Sequence, residues 1–570
     1  METKNLKTYL LIGILVIATV LRLWKIDQVP VSLFGDELDV GYHAYSILKT
    51  GKDYSGNSWP LHFQSLAEWR TPLYLYSAVP TVAMFGISPL GVRLPAAIFG
   101  ILGVFLFYLL IKLITGNWKL ATLAGLLLAI SPWHLQYSRA GFEVTQMLTF
   151  YLAGLLFFLK GLKEGRLLPY SALFLGLTPW VYSTAKFFLP LTVLGLLIVW
   201  HKELFKVGKK YLLWTLAVFI LVVAPITWST LFGGGTARFG YISVFTDPTT
   251  IPEIGFSRLR DSKMDDPEIK FGAQPDLESR VVHNKFQWWG GVMLKNYLQT
   301  FSSQFLFING DLNARHAVQG AGEFYKFEGL FILLGLVFLL IRPLDRKIKI
   351  FLLLWLVLAP IPAAMTRDGG SHATRLFFLL PVLVFLTAYG IYGLVDVLKN
   401  QRKLLSLGII GLYLVSFLWY QHQYWVHYPW DSERWWHAGF ESAIKTAVSQ
   451  AGDYDKVIFS MAGEPTFIFF LGWSQYPPQE VQDGLFSEKE NIANFGEITK
   501  VGKYYFGTPN APSVYELARS LPDKTLYVAT AKEVGINLIT EPDRKPGDLK
   551  LLKAVAFPSG EPAYYLFTKN

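Results

Sequence analysis

Apolar residues in this chain come in long uninterrupted blocks, not in the alternation or the one-sided stripes of a soluble domain. Eleven blocks are nearly free of charge: roughly 8–24, 94–114, 118–133, 142–159, 167–183, 187–200, 211–229, 328–341, 350–366, 376–395 and 404–420. A helix needs about 20 such residues to cross a bilayer, so each block predicts a crossing, the shorter ones extending into polar flanks. A further apolar stretch at 73–86 is short and holds Pro80. It is read as an interfacial or re-entrant element, because counting it as a crossing would reverse every later loop.

Polar residues between the blocks set the orientation. Lys4 and Lys7 precede the first block, which places the N-terminus inside. The loops on that side then hold Lys112 and Lys119; Lys160, Lys163 and Arg166; Lys202, Lys206, Lys209 and Lys210; Arg342, Arg346, Lys347 and Lys349; and Lys399, Arg402 and Lys403. Five loops thus agree with the excess of positive charge expected on the cytoplasmic face. Outside lie a loop of about 25–93, another of about 230–327, and everything from 421 to 570. The first block lacks an A-x-A-like cleavage site and reads as a retained helix.

Two domains are expected: a transmembrane domain at 1–420 and an extracytoplasmic α/β domain at 421–570. In the second, 441–450 and 512–521 read as helices and 456–460 and 525–530 as strands. Two apolar runs, 552–557 and 563–568, flank the turn signal Pro558–Pro562 and predict a hairpin.

Composition narrows the class. With 570 residues, 52% of them hydrophobic and only 16% charged, and a mean hydropathy of +0.34, the chain is a polytopic membrane protein and not an ordinary soluble enzyme. The net charge of +10 sits in short loops, so it is a topology signal, and no nucleic-acid partner is expected; membrane lipids are. Zero cysteines exclude disulfides, thiolate metal sites and a cysteine nucleophile.

The chemistry-bearing residues gather on the outer side. Asp36-Glu37 follows the first block by about a dozen residues; carboxylates there are costly to desolvate and imply a wet, outward-facing site. The same face receives Arg70, His134, Arg139 and Glu143, Lys186 between two blocks, and His372 with Arg375 before the tenth. Basic groups at that depth suit a lipid-linked phosphate, and a carboxylate suits deprotonation of an attacking hydroxyl. Asp36, Glu37 and Asp39 would alternatively hold a divalent cation through oxygen ligands; no cofactor is otherwise implied. The other class of function is a transporter or flippase of a lipid-linked or small polar solute. That reading calls for mid-helix charges and internal repeats, of which the sequence has few and none evident.

The ordered set carries a resemblance. An outward Asp36-Glu37 after a short first helix, Arg70 before Pro72, Arg93-Leu94-Pro95-Ala96-Ala97 opening the second helix, Ser131 to Arg139, and His372…Arg375…Pro381 together resemble the GT-C membrane glycosyltransferases. The similarity is to protein O-mannosyltransferases (glycosyltransferase family 39) and lipid A aminoarabinose transferases, over roughly 1–420. It implies a GT-C-like fold and transfer of a hexosyl or pentosyl group from a polyprenyl-phosphate sugar to an extracytoplasmic protein, lipid or glycan. It further implies Asp36 as base with Glu37 as its partner. Arg70, Arg139, Lys186 and Arg375 would meet the donor phosphate, and Glu143, His134 and His372 would stand at the acceptor or behind the reacting groups.

Overall fold

The computed structural model describes every residue except 1, 67, 266–267, 269–275, 464, 485–487 and 570. The chain opens with α1 (Glu2–Leu23), α2 (Gly35–Thr50), α3 (Pro72–Phe85), α4 (Pro89–Thr115), α5 (Trp118–Ile130) and α6 (Pro132–Arg139). It continues with α7 (Val144–Gly161), α8 (Leu168–Val181), α9 (Ala185–Leu204), α10 (Lys209–Phe232) and α11 (Ala237–Ile242). Later apolar blocks form the helices Glu328–Ile341, Arg346–Leu358, Leu380–Val397 and Arg402–His422.

Every expected block therefore lies on a helix, and eight helical spans among the described residues are long and apolar enough to cross a membrane. The other three blocks give shorter helices: α5, α8 and Glu328–Ile341. In α5 the cause is local. Ser131 takes an extended ψ of 128° ahead of Pro132, and a residue before proline is pushed out of the helical region, so the third block is cut at Ile130. Large apolar side chains on α10 (Leu213, Trp214, Leu216, Leu221) are exposed, as suits a helix whose solvent is lipid. The chain is a membrane protein. The stretch 73–86 is α3, a continuous helix despite Pro80.

Between α1 and α4 the external loop is ordered by burial. A short antiparallel pair, β1 (Phe63–Gln64) and β2 (Trp69–Arg70), aligns Phe63 with Arg70. Helix α2 packs on α3 and α4, where Gly41 lies against Ile87 and Val92. Its far face meets the helix Phe467–Ser474 of the C-terminal region. Gly472 is required at that contact, since a Cβ there would sit 2.8 Å from the Leu38 side chain. The Tyr42 hydroxyl donates to the Tyr476 carbonyl at 2.8 Å. The C-terminal domain thus docks on the helix that carries Asp36.

That domain is built on seven strands in the order β4-β5-β6-β3-β7-β9-β8. They are β3 (Lys456–Ser460), β4 (Lys489–Ile492), β5 (Gly496–Val501), β6 (Tyr504–Gly507), β7 (Thr525–Thr530), β8 (Lys550–Ala556) and β9 (Pro562–Lys569). β3 runs parallel to β6 and β7, and the remaining pairs are antiparallel. The hairpin expected around Pro558 is β8–β9. Ile458, Tyr527 and Phe567 fill one side of the sheet.

Candidate functional site

Helix α2 starts where the extended Phe34 (φ −85°, ψ 174°) turns the chain, and its first turn holds both acids, where the helix dipole favours negative charge. They point apart. Asp36 is exposed and has no side-chain hydrogen bond to any described residue. Glu37 is fully buried: its Oε1 accepts from Arg93 Nε at 2.8 Å and from the Gly141 amide at 2.7 Å, and its Oε2 accepts from Arg93 Nη2 at 2.9 Å. Arg93 spends its other donors on the carbonyls of Ile26, Pro30 and Ser32, and its guanidinium lies over the Trp436 ring. Expected as a partner in catalysis, Glu37 has instead both oxygens taken up in fastening α2 to α4 and to Gly141 ahead of α7.

Beside Asp36, Arg70 donates to the Asp36 carbonyl at 3.0 Å, to Asp39 at 3.1 Å and to Glu143 at 2.8 Å. Burial works against its charge, but Glu143, Asp36, Asp39 and Glu68 outweigh that and hold the guanidinium well above its ordinary value. Asp39 is likewise opposed by burial, yet His43, Arg70, Ser65 and Tyr54 keep it below the usual carboxylate range. Arg238, on α11, donates to Glu68 at 2.8 Å. Its charge is held up against burial by Glu68, Tyr182 and Asp36. A chain of alternating charge thus runs from Asp36 and Arg70 through Glu68 to Arg238.

Arg238 opens onto a cavity of about 640 Å³ bounded by α8, α9, α10 and α11. Val193, Leu194, Leu197, Phe219 and Val223 line it, and Lys186, Arg238 and Arg375 stand in its wall. From Lys186 to Leu197 along α9 is about 16 Å at 1.5 Å per residue, so the apolar part is a groove-like channel of about that length, leading away from the cations and open where Leu194 and Leu197 are exposed. Lys186 Nζ donates to His62 Nε2 at 3.0 Å, and the other ring nitrogen of His62 pairs with Ser229 Oγ at 2.7 Å. Burial, reinforced by Lys186, lowers His62 to about 3, so its imidazole is neutral. Gly235 is needed here, because a Cβ would lie 2.8 Å from His62 Nε2. Arg375 is anchored by Thr366 Oγ1 at 2.8 Å and by Asp368.

The structure thus gathers Asp36, Arg70, Glu143, Lys186 and Arg375 around one region, and separates the others. Arg139 donates to the carbonyls of Leu21, Lys25 and Val29 and to the Tyr424 hydroxyl; it caps the end of α1 instead of facing the channel. His134 is wholly buried against Arg22 at 2.6 Å. His372 lies with Asp311 and His316. The expected cation site also moves. With Glu37 committed to Arg93, and Asp39 to Arg70, Tyr54 and Ser65, Asp36 is left without neighbouring carboxylate ligands. The one His/Asp/Glu group among the described residues with metal-ligand spacing is Asp311, His316 and His372. Arg238 and His62 were missed in the sequence. A cation just beyond the end of an apolar block, in Gly233-Gly234-Gly235-Thr236-Ala237-Arg238, was the available signal.

Residues 70–228, from Arg70 through most of α10, match the model of the dolichyl-phosphate-mannose-protein mannosyltransferase family. No curated protein matches the sequence. Among solved structures, ArnT from Cupriavidus metallidurans bound to undecaprenyl phosphate is similar over 98% of this chain and 97% of its own, at 11% identity and a TM-score of 0.52. The Archaeoglobus fulgidus oligosaccharyltransferase in complex with Zn and sulfate is similar over 82% of this chain and 61% of its own, at 13% identity and a TM-score of 0.50. The chain spans 64% of the length of the same organism's AglB in complex with an inhibitory peptide and a dolichol-phosphate, at 14% identity and a TM-score of 0.49. An apolar helical bundle with an ordered first external loop and a docked C-terminal sheet, similar to ArnT over nearly its full length, has the GT-C fold, and the chain resembles protein O-mannosyltransferases and the lipid A aminoarabinose transferases.

Proposed function

We propose that the chain is a glycosyltransferase that moves a hexosyl or pentosyl group from a polyprenyl-phosphate donor to an acceptor outside the cytoplasm. On this reading the N-terminus is cytoplasmic, and α2 and the C-terminal domain are outside. The observation that supports it best is the channel with its three cations. A prenyl chain fits an apolar passage, a phosphate fits Lys186, Arg238 and Arg375, and the same cation network ends beside the open carboxylate of Asp36. The prenyl-phosphate carrier present in the ArnT structure is of the chemical kind this channel suits.

The residues then take roles by position. Asp36 accepts the proton as an acceptor oxygen attacks the anomeric carbon. The bond from that carbon to the phosphate oxygen breaks, and prenyl phosphate leaves with its electron pair, its charge met by Arg238, Lys186 and Arg375. Arg70, bound to the Asp36 carbonyl, fixes the first turn of α2 and adds positive potential. Glu37 and Arg93 are positioning residues.

Purified protein in nanodiscs, given radiolabelled polyprenyl-phosphate sugars and an extract of cell-envelope acceptors, tests this. Release of prenyl phosphate by the wild type and its loss in Asp36→Asn supports the reading. Equal release by Asp36→Asn removes Asp36 as base. Passage of labelled donor across the bilayer without bond cleavage replaces the enzyme with a flippase.

A further inference from the structure

The loop after residue 308 and the segment before the helix Leu380–Val397 meet at a cluster that the transfer chemistry does not use. Asp311 Oδ2 accepts from the Ala373 amide at 2.9 Å and contacts His316 Nδ1 at 2.9 Å, while Oδ1 accepts from the Asn313 amide at 2.9 Å. His372 stacks near this pair, its ring 4.9 Å from that of His316. Its Nδ1 lies 4.0 Å from Asp311 Oδ2, buried and without a hydrogen-bond partner. One ligand atom from each of the three residues falls within 4.8 Å of the other two. Their side chains are 9%, 12% and 17% exposed, so water has little access.

We infer that Asp311, His316 and His372 bind a transition-metal ion, Zn²⁺ in the first instance. An Asp–His hydrogen bond accounts for two of these residues. It leaves the His372 Nδ1, 4.0 Å from the carboxylate, buried and without a hydrogen-bond partner, a kind of orphan that a bound ion resolves. Two imidazoles and one carboxylate, with no thiolate, form a ligand set that suits zinc better than magnesium or calcium, which take oxygen donors. Zinc bonds of about 2.0–2.2 Å in tetrahedral geometry place ligand atoms roughly 3.3 Å apart. The two spacings from Asp311, 2.9 and 4.0 Å, bracket that value, and the third lies within 4.8 Å, so the site closes by side-chain rotation. Three protein ligands leave a fourth position for another donor to complete.

The two segments so joined lead to both ends of the proposed reaction site. Arg375, in the channel wall, follows His372 by three residues. Arg315, next to His316, lays its guanidinium over the rings of Phe34 (4.9 Å) and Trp435 (5.6 Å), just ahead of Asp36. The ion therefore acts as a clamp between the two segments. Binding of metal is independent of the transferase reading; only the consequence for Arg375 and Arg315 rests on it.

Full-length protein in nanodiscs, stripped with chelator and then equilibrated with Zn²⁺, tests the site by elemental analysis after desalting. One zinc per chain is expected in the wild type and in Asp36→Asn, with loss in His372→Ala and Asp311→Asn. Co²⁺ on the wild type should give the intense visible bands of a tetrahedral nitrogen–oxygen site, and Zn²⁺ should raise the unfolding midpoint of the stripped wild type. Neither of those two readouts depends on a variant folding. No retained zinc in the wild type, or zinc retained equally by His372→Ala, overturns the inference. An unshifted midpoint with a cobalt spectrum identical to that of the free ion does so as well.

Discussion

Glu37 and Arg93 provide the sharpest test of how the site is held. Both side chains are fully buried, joined by two charge-assisted bonds at 2.8 and 2.9 Å, and Glu37 also accepts from the Gly141 amide. Replacing Glu37 by Ala leaves the Arg93 charge buried with only carbonyl partners and frees the Gly141 amide. Breaking one partner of a buried pair costs about 3–5 kcal/mol, so Glu37→Ala and Arg93→Ala should each lose that much. The double variant should lose less than the sum, because the second change removes a charge already unpaired. Glu37→Gln, which keeps an acceptor for Arg93, should fall between. Denaturant titration in detergent micelles, followed by tryptophan fluorescence, reads these differences. Loss of transfer should follow loss of stability in this series, since Glu37 acts by fixing α2. A Glu37→Ala protein within about 0.5 kcal/mol of wild type, the range of an ordinary surface change, would refute the reasoning. So would full stability combined with no activity, which would return Glu37 to the chemistry.

Other outcomes follow from the channel. Lys186→Ala and Arg238→Ala should each raise KM for the donor by on the order of 10–100-fold, the equivalent of one lost hydrogen bond to a charged group, in a steady-state assay with varied donor; an unchanged KM puts the phosphate elsewhere. Gly235→Val should drive its side chain into His62 and Thr230 and weaken donor binding, which a donor-displacement assay reads; tight binding would show that this end of the channel is not used. His62 titrates at about 3 in the native chain against an ordinary 6.5, so the unfolded chain takes up the proton first. Its share of stability is complete above pH 6.5 and declines as pH falls towards 3, and His62→Gln should flatten that part of a stability–pH profile. An identical slope in the variant would remove His62 as the cause.

Much of this architecture is written in the hydrophobic pattern, because a membrane helix must satisfy its backbone internally and show an apolar surface to lipid. That is why all eleven blocks lie on helices, and why β3, β7 and the β8–β9 hairpin were readable as dense apolar runs. Strand β4, Lys489-Glu490-Asn491-Ile492, was not, because it is a polar edge whose pairing with β5 supplies what its composition lacks. The site was half legible. Asp36 and Arg70 could be placed by topology, but sequence adjacency suggested that Asp36 and Glu37 act together, whereas successive helix positions point about 100° apart. Arg139 shows the same limit: a basic residue at an outer helix end looks the same in sequence whether it faces a ligand or binds carbonyls at and just beyond the end of α1. Arg238 went unseen because only folding brings α11 against Glu68 and the mouth of the channel. The Asp311–His316–His372 group is joined across 56 residues and has no local signature.

The central claim is that one channel delivers a lipid phosphate to Asp36. The most direct measurement is a cryo-electron microscopy structure of the protein with a polyprenyl phosphate bound. The account requires the phosphate within hydrogen-bonding reach of Lys186, Arg238 or Arg375, the prenyl chain running past Val193 and Leu197, and the Asp36 carboxylate facing the phosphate across a gap wide enough for a sugar. Density for the lipid in another cleft, or a phosphate screened from Asp36 by intact protein, would contradict it.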